Sequence, residues 1–234
     1  MQRIIVIAAV ALMLLPFAEA VAGKRGGGGG PSCNLNGYLE GLPVESLSKK
    51  EKTGLLFMRE EEKLARDVYL SLHETWSLRA FSNIAAAESR HMQAALTLIE
   101  KYDLDDPVGD NGVGVFSNPE FTELYENLTV SGSASLVAAL EVGALIEEMD
   151  IYDLKRVLEN VDNEDLAVAY QNLMKGSRNH LRAFDKLLSR HGAEYETEYL
   201  TQEEYDAIAD SPREKGMVDA EGNLLCGGGR GKSS

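Results

Sequence analysis

Cysteine is scarce in this sequence, and both cysteines lie near the ends of the chain. Cys33 and Cys226 are the only two, whereas a rubredoxin site or a cysteine-held iron–sulfur cluster needs a larger set of thiolates. The chain therefore cannot build such a site alone. A disulfide between the two ends, two free thiols and pairing between chains all stay open.

Basic residues are also few beside the acidic ones. The chain has 23 Lys and Arg against 38 Asp and Glu, which gives a formal net charge of −15. A surface of this sign repels nucleic acid and anionic lipid and attracts cations. The sequence therefore predicts no nucleic-acid partner and favours metal ions as partners.

Long apolar runs are missing beyond the first residues. Arg3 precedes an almost unbroken apolar run at 4–17, and small residues follow it at 18–22. This order is typical of a secretory signal peptide, and the run is short for a membrane span. We expect residues 1–22 to be removed, the protein to be exported to the periplasm or the extracellular space, and no stable membrane span to remain. An uncleaved anchor is the alternative.

The period-two alternation of half-buried strands is missing as well. The sequence therefore predicts essentially no sheet, and its length allows one globular domain. We place this domain at residues 42–210. A Gly-rich linker at 23–41 precedes it, and a flexible Gly-rich tail at 211–234 follows it.

Capping residues and glycines predict four long helices and two short ones. The predicted helix starts are Ser48, the connection at 76–77, Asn118, Ser133, Asp162 or Asn163, and Thr201. Short connections make the long helices two antiparallel hairpins, and the segment 103–116 is a long loop that leads into the short helix of the crossover. The predicted fold is an all-α four-helix bundle.

Each of the four long helices has an apolar stripe that is interrupted near its middle by residues that can bind metal. The interruptions are Glu62, Glu88, His91, Glu147, Asp150 and His180. A buried carboxylate is costly unless it is paired, protonated or bound to a cation. Because helix midpoints meet in one layer of a bundle, we expect these residues to share a metal site. Glu60, Glu61 and Glu148 are expected on solvated faces.

Oxygen and imidazole ligands together suit iron, manganese or zinc. Glu88 and His91 form a Glu-x-x-His pair, which lies on one helix face with its members one turn apart. Four carboxylates can offset most of the charge of two divalent ions and can bridge them. The sequence therefore predicts a di-iron centre, with manganese or zinc as alternatives. A buried hydrogen-bonded network that fixes helix register is the metal-free interpretation.

Three segments resemble the rubrerythrin branch of the ferritin-like superfamily. The resemblance is carried by Glu62 with Ala65 and Tyr69, by Glu88-x-x-His91, and by Gly143, Glu147, Asp150 and Tyr152. The stretches 60–69 and 177–184 also resemble an uncharacterised prokaryotic ferritin-like family of unknown function. Together the resemblances cover about residues 42–208. They imply a ferritin-like bundle with a di-iron centre that oxidises ferrous iron or reduces peroxide, with oxygen or peroxide as partners.

Two positions depart from the rubrerythrin pattern. Ala144 and Ser177 stand where that family has ligand glutamates, and both belong to the same half of its site. Asp150 could restore the count of four carboxylates and two histidines. The electron donor is unknown, and no rubredoxin-like domain supplies one within the chain. A homodimer stays open. The alternatives are a non-catalytic protein that stores or buffers metal and a metal-free structural bundle.

Overall fold

Seven helices and one two-stranded hairpin make up residues 33–227, the part of the chain that this computed structural model describes. The helices are α1 (Leu35–Gly41), α2 (Lys49–Trp76), α3 (Arg79–Lys101), α4 (Pro119–Gly132), α5 (Leu136–Leu158), α6 (Glu164–Arg190) and α7 (Gln202–Ala209). Strands β1 (Met217–Val218) and β2 (Leu224–Cys226) pair antiparallel. The all-α prediction is confirmed apart from this hairpin.

The predicted signal peptide at 1–22 lies outside the described residues. Within residues 33–227, none of the helices combines the length and the apolar character that crossing a membrane requires. This agrees with the prediction that no membrane span follows the first residues of the chain.

Local capping sets most of the helix starts. The Ser48 hydroxyl accepts a hydrogen bond from the Glu51 N–H, and the Glu51 carboxylate accepts one from the Ser48 N–H, which is the predicted capping box. A second capping box opens α7 at Thr201. The start of α5 differs from the prediction, because its cap is Ser135. Ser133 instead closes the last turn of α4 through its N–H.

The four long helices pack against one another around a shared core. Helix α2 contacts α3 and α5, while α6 contacts α3 and α5. The aromatic rings of Tyr69, Phe81 and Phe184 form a cluster with centroids 5.5–6.3 Å apart. Gly143 on α5 makes room for this cluster, because a Cβ there would lie 2.4 Å from the Phe184 ring.

Polar residues of α2 hold the long crossover between α3 and α4. The Arg59 guanidinium donates to both carboxylate oxygens of Asp106, at 3.0 and 2.9 Å. Glu60 accepts the N–H groups of Ser117 and Asn118. Glu60 is therefore buried rather than solvated, because the crossover covers the α2 face that the helix pattern alone leaves open to solvent.

Glu148 is also buried, which corrects the prediction of a solvated side chain. Its carboxylate accepts the Tyr195 hydroxyl at 2.6 Å and the three successive N–H groups of residues 198–200. The segment between α6 and α7 thus wraps over α5 and supplies the hydrogen bonds that make burial of this acid favourable.

The segments flanking the predicted domain are more ordered than the sequence indicates. Helix α1 lies within the stretch predicted as a linker, and residues 211–227 fold back on α6. The Glu214 carboxylate pairs with Arg178 at 2.5 Å and with Arg182 at 3.0 Å. A disulfide joins Cys33 to Cys226. It decides the question that the sequence left open and ties the two ends of the described chain together.

Candidate metal centre

Five of the six predicted residues meet in the middle of the helical core. Glu62 comes from α2, Glu88 and His91 from α3, Glu147 from α5 and His180 from α6. The three glutamates are at most 2% exposed. The two imidazoles retain 13–14% exposure of their side chains. Solvent therefore reaches the cluster at its histidine edge, while the carboxylates lie inside.

Glu88 stands at the centre of the cluster. Its Oε2 lies 2.7 Å from His91 Nδ1, and its Oε1 lies 2.8 Å from His180 Nδ1. Each oxygen of one carboxylate thus faces a different histidine. The two rings lie with their centroids 5.7 Å apart.

The outer carboxylates complete two similar halves. Glu62 Oε2 lies 3.1 Å from His91 Nδ1, and Glu147 Oε2 lies 3.3 Å from His180 Nδ1. The result is two sets of three ligand atoms, each set within 4.8 Å, that have Glu88 in common. A carboxylate shared in this way has the geometry of a bridge between two cations.

The electrostatic interactions of the cluster also centre on Glu88. Burial by itself raises the pKa of Glu88, but the charges of His180 and His91 outweigh it and hold that pKa below its usual range. Burial lowers the pKa of His180, and the Glu88 and Glu147 carboxylates reverse this effect and raise it to about 10. Without a cation, protonated imidazoles balance part of the negative charge.

That balance is incomplete on the Glu62 side. Burial raises the pKa of Glu62 to about 7, even though His91 acts to lower it. Glu62 Oε1 is buried and has no hydrogen-bond partner. A buried carboxylate oxygen without a donor is costly, and a metal ion is one group that would satisfy it. The donor set of three carboxylates and two imidazoles fits iron, manganese or zinc.

Asp150 lies beside the five residues but outside the two sets of three. Its Oδ2 accepts a hydrogen bond from the Ser177 hydroxyl, whereas its buried Oδ1 has no partner. Burial and the nearby Glu62 carboxylate raise the pKa of Asp150 well above its usual range. Ser177, one of the departures from the rubrerythrin pattern, therefore orients Asp150.

Tyr69 supports the half of the cluster that contains Glu147 and His180. Its hydroxyl is buried and donates to Glu147 Oε1 at 2.5 Å. Glu147 Oε2 is left to face His180. A hydrogen bond of this kind fixes the orientation of a ligand carboxylate.

Two residues near the centre have environments that the sequence pattern did not indicate. Glu61 is 2% exposed, which corrects the prediction of a solvated side chain. Gly176 on α6 lies against the His91 ring, where a Cβ would come within 2.4 Å of Cε1 and Nε2. A glycine in the interior of a long helix is unfavourable by about 1 kcal/mol relative to alanine. A glycine at this unfavourable position is the sequence signal that could have pointed to a close contact at Gly176.

The model of an uncharacterized protein domain family, DUF2202, matches residues 51–212. The chain belongs to this family. The chain is 52% identical over 180 residues to the uncharacterized protein MJ0754 of Methanocaldococcus jannaschii. The aligned residues make up 77% of this chain and 97% of that relative. The crystal structure of the hypothetical protein MJ0754 from Methanococcus jannaschii DSM 2661 is similar, with a TM-score of 0.73, 52% sequence identity, and coverage of 74% of this chain and 99% of the other.

The family match spans the whole cluster, from Glu62 to His180. The predicted resemblance to an uncharacterised family is confirmed at this level. Neither description of MJ0754, from its sequence or from its crystal structure, states a function.

Proposed function

We propose that the chain is a ferritin-like four-helix bundle that binds two transition-metal cations, most favourably iron, between its four long helices. The observation that carries this proposal is the sharing of Glu88, whose two oxygens face His91 and His180 separately. A simple ion pair joins one carboxylate to one histidine. Two similar halves about one carboxylate instead match what a pair of adjacent cations requires.

In this proposal each half supplies one imidazole and one outer carboxylate. His91 and Glu62 would hold one cation, His180 and Glu147 would hold the other, and Glu88 would offer one oxygen to each. Asp150, oriented by Ser177, adds its free Oδ1 on the Glu62 side, so that four carboxylates offset most of the charge of two divalent ions. Manganese and zinc fit the same donors.

The activity we propose is oxidation of ferrous iron or reduction of peroxide. A pair of ferrous ions supplies two electrons, the number that reduction of hydrogen peroxide to water consumes. The chain holds the ions at fixed positions and excludes water from the carboxylate side. The histidine edge, at 13–14% side-chain exposure, leaves room for a small oxidant to approach. Repeated turnover requires an electron donor that returns the irons to the ferrous state.

Export of the protein is part of the proposal. The disulfide between Cys33 and Cys226 supports it, because disulfides persist in oxidising compartments and are rare in the cytosol of most organisms. The signal-like residues 1–22 favour the same location.

One alternative has a specific observation in its favour. The two histidines and three glutamates already form ion pairs with one another, so they could act as a metal-free network that sets helix register. The unpartnered oxygens of Glu62 and Asp150 favour the metal-binding proposal. A storage or buffering protein would share the metal centre and lack turnover.

Metal counting tests the proposal directly. The mature protein is stripped with chelator, loaded anaerobically with ferrous iron and analysed for bound iron. We expect about two ions per chain, in line with the two sets of three ligand atoms. A folded protein that binds no iron, manganese or zinc and has the same melting temperature in chelator would favour the metal-free network.

Two glutamine variants sharpen this test. Glu88→Gln removes the shared carboxylate and should abolish binding of both ions. Glu62→Gln removes an outer ligand and should leave the half formed by Glu147 and His180 able to bind one. Equal losses in the two variants would contradict the bridging role of Glu88. Exposure of the loaded protein to peroxide, with absorbance recorded, then separates an enzyme from a storage protein.

A further inference from the structure

The two outer carboxylates of the cluster differ in how many oxygens they leave free. Glu147 faces His180 through Oε2, while its Oε1 accepts the Tyr69 hydroxyl at 2.5 Å. Glu62 faces His91 through Oε2, and its buried Oε1 accepts no hydrogen bond. Glu147 therefore has one oxygen available to a cation, whereas Glu62 has two.

A contact between Glu62 and Glu88 does not remove this difference. The two carboxyl groups share a side-chain hydrogen bond, which requires a proton on one of them because an ionised carboxylate has no donor. Metal binding releases the protons of its ligands, since the ligands bind in their deprotonated form. A cation in this half would therefore meet both oxygens of Glu62.

Tyr69 is fixed in the position that occupies Glu147 Oε1. Its side chain is fully buried, and its ring lies 6.3 Å from that of Phe81 and 5.5 Å from that of Phe184, centroid to centroid. Its hydroxyl also lies 3.3 Å from the Gly143 carbonyl oxygen. The close packing of the ring holds the hydroxyl against the carboxylate.

The helix turns next to Glu147 and His180 add no ligand to this half of the cluster. Ala144 lies one turn before Glu147 on α5, where it is fully buried and has no side-chain atom that binds metal. Ser177 lies one turn before His180 on α6, and its hydroxyl donates to a neighbouring carboxylate. Neither side chain replaces the oxygen that the tyrosine occupies.

We propose that Glu147 and His180 leave an open position for a small anion on the cation they hold, whereas Glu62 and His91 close the other cation to such ligands. The inference rests on the proposed metal centre. With the shared Glu88 included, the first half supplies three ligand atoms, and in the second half the free Oε1 adds a fourth. In zinc proteins, three protein ligands leave a position for water or substrate, and four close the site. In the proposed reduction of peroxide, the anion is hydroperoxide.

Azide binding to the cobalt-loaded protein tests the open position without turnover. The mature chain is stripped of metal and loaded anaerobically with cobalt(II), and azide is added while visible absorbance is recorded. With two cobalt ions per chain we expect one azide to bind. With one cobalt ion per chain we expect almost no response, because the half with more donor oxygens binds its cation more tightly and fills first.

Glu62→Gln and Glu147→Gln are a matched pair of variants. Each removes one buried outer carboxylate and leaves the opposite half able to hold one cobalt ion. Glu62→Gln keeps the open half and should bind azide with the wild-type affinity. Glu147→Gln keeps the closed half, where azide must displace a carboxylate oxygen. Its affinity for azide should be lower by about tenfold or more, which corresponds to about 1.4 kcal/mol.

Cobalt counting and circular dichroism verify that each variant is folded and holds one ion. If a variant does not fold, the stepwise loading of the wild-type chain still decides the question, because it needs no substitution.

Three results would overturn the open position. The first is a wild-type protein that holds two cobalt ions and binds no azide. The second is a full azide response with the first cobalt ion. The third is equal azide affinity in the two variants, whether both keep azide binding or both lose it. A wild-type protein that binds no cobalt would instead refute the metal centre itself, and the open position with it.

Discussion

Gly176 on α6 and His91 on α3 are in such close contact that a Cβ at position 176 would meet the His91 ring at 2.4 Å. The ring is thereby held with Nδ1 toward Glu62 and Glu88. The missing side chain of a glycine in the middle of a helix is therefore part of the geometry of the cluster.

Gly176→Ala should weaken the half of the centre that contains His91. Alanine is the better helix former by about 1 kcal/mol, but its methyl group must displace the imidazole. We expect bound iron to fall from about two ions per chain to about one, measured by elemental analysis after anaerobic loading.

The control for this variant is Gly54→Ala in α2. A Cβ there would lie 3.4 Å from Val157 Cγ1, which is an ordinary contact. This variant should keep full iron content and melt at the wild-type temperature or slightly above it. Full iron content in Gly176→Ala as well would contradict a positioning role for the glycine.

Tyr69→Phe should affect the opposite half. It leaves Glu147 Oε1 without its 2.5 Å hydrogen bond, at a cost of about 1–3 kcal/mol in the metal-free protein. Loss of such a supporting bond lowers metal affinity by about 10–100-fold. Isothermal titration should show one weakened site and one unchanged site. Tyr195→Phe, which removes a bond to Glu148, should lower stability and leave both affinities unchanged.

The pairing of Arg59 with Asp106 should make the crossover sensitive to acid. Burial raises the pKa of Asp106, but the hydrogen bonds from Arg59 and the Val108 N–H outweigh it and hold the pKa below its usual value of 3.8. A lowered pKa stabilises the folded state above the usual value, and this contribution is lost as pH falls through the folded value.

Asp106→Asn should therefore cost about 1 kcal/mol at pH 6, a figure reduced for the partial exposure of the pair. The difference in melting temperature from wild type should shrink between pH 5 and pH 2. Asp110→Asn, at an exposed position of the same loop, should show no such difference at either pH. A constant deficit for Asp106→Asn would mean that its ionisation contributes nothing.

Breaking the disulfide should loosen the ends and spare the metal centre. The bond closes a loop across a sequence separation of 193, and loss of a native disulfide costs about 2–5 kcal/mol. We expect reductant to lower the melting temperature of wild type and to have no effect on a Cys33→Ser, Cys226→Ser double variant. Iron content should be equal in both, because α2, α3, α5 and α6 supply every ligand.

The sequence by itself determined the four long helices and the depth of the cluster residues. Capping boxes at Ser48 and Thr201 act within one turn of the chain, so they are readable without tertiary contacts. The apolar stripes set which face of each helix turns inward, and Glu62, Glu88, His91, Glu147 and His180 lie on those faces.

Only the tertiary structure decided the features that depend on distant segments. Glu60 and Glu148 are buried because loops cross α2 and α5 and donate hydrogen bonds to these two acids. The helical periodicity of the sequence does not reveal those donors. The same holds for the contact of Gly176 with His91 and for the pairing of Cys33 with Cys226. Helix formation is local, whereas the surroundings of a side chain are set by whichever segment packs against it.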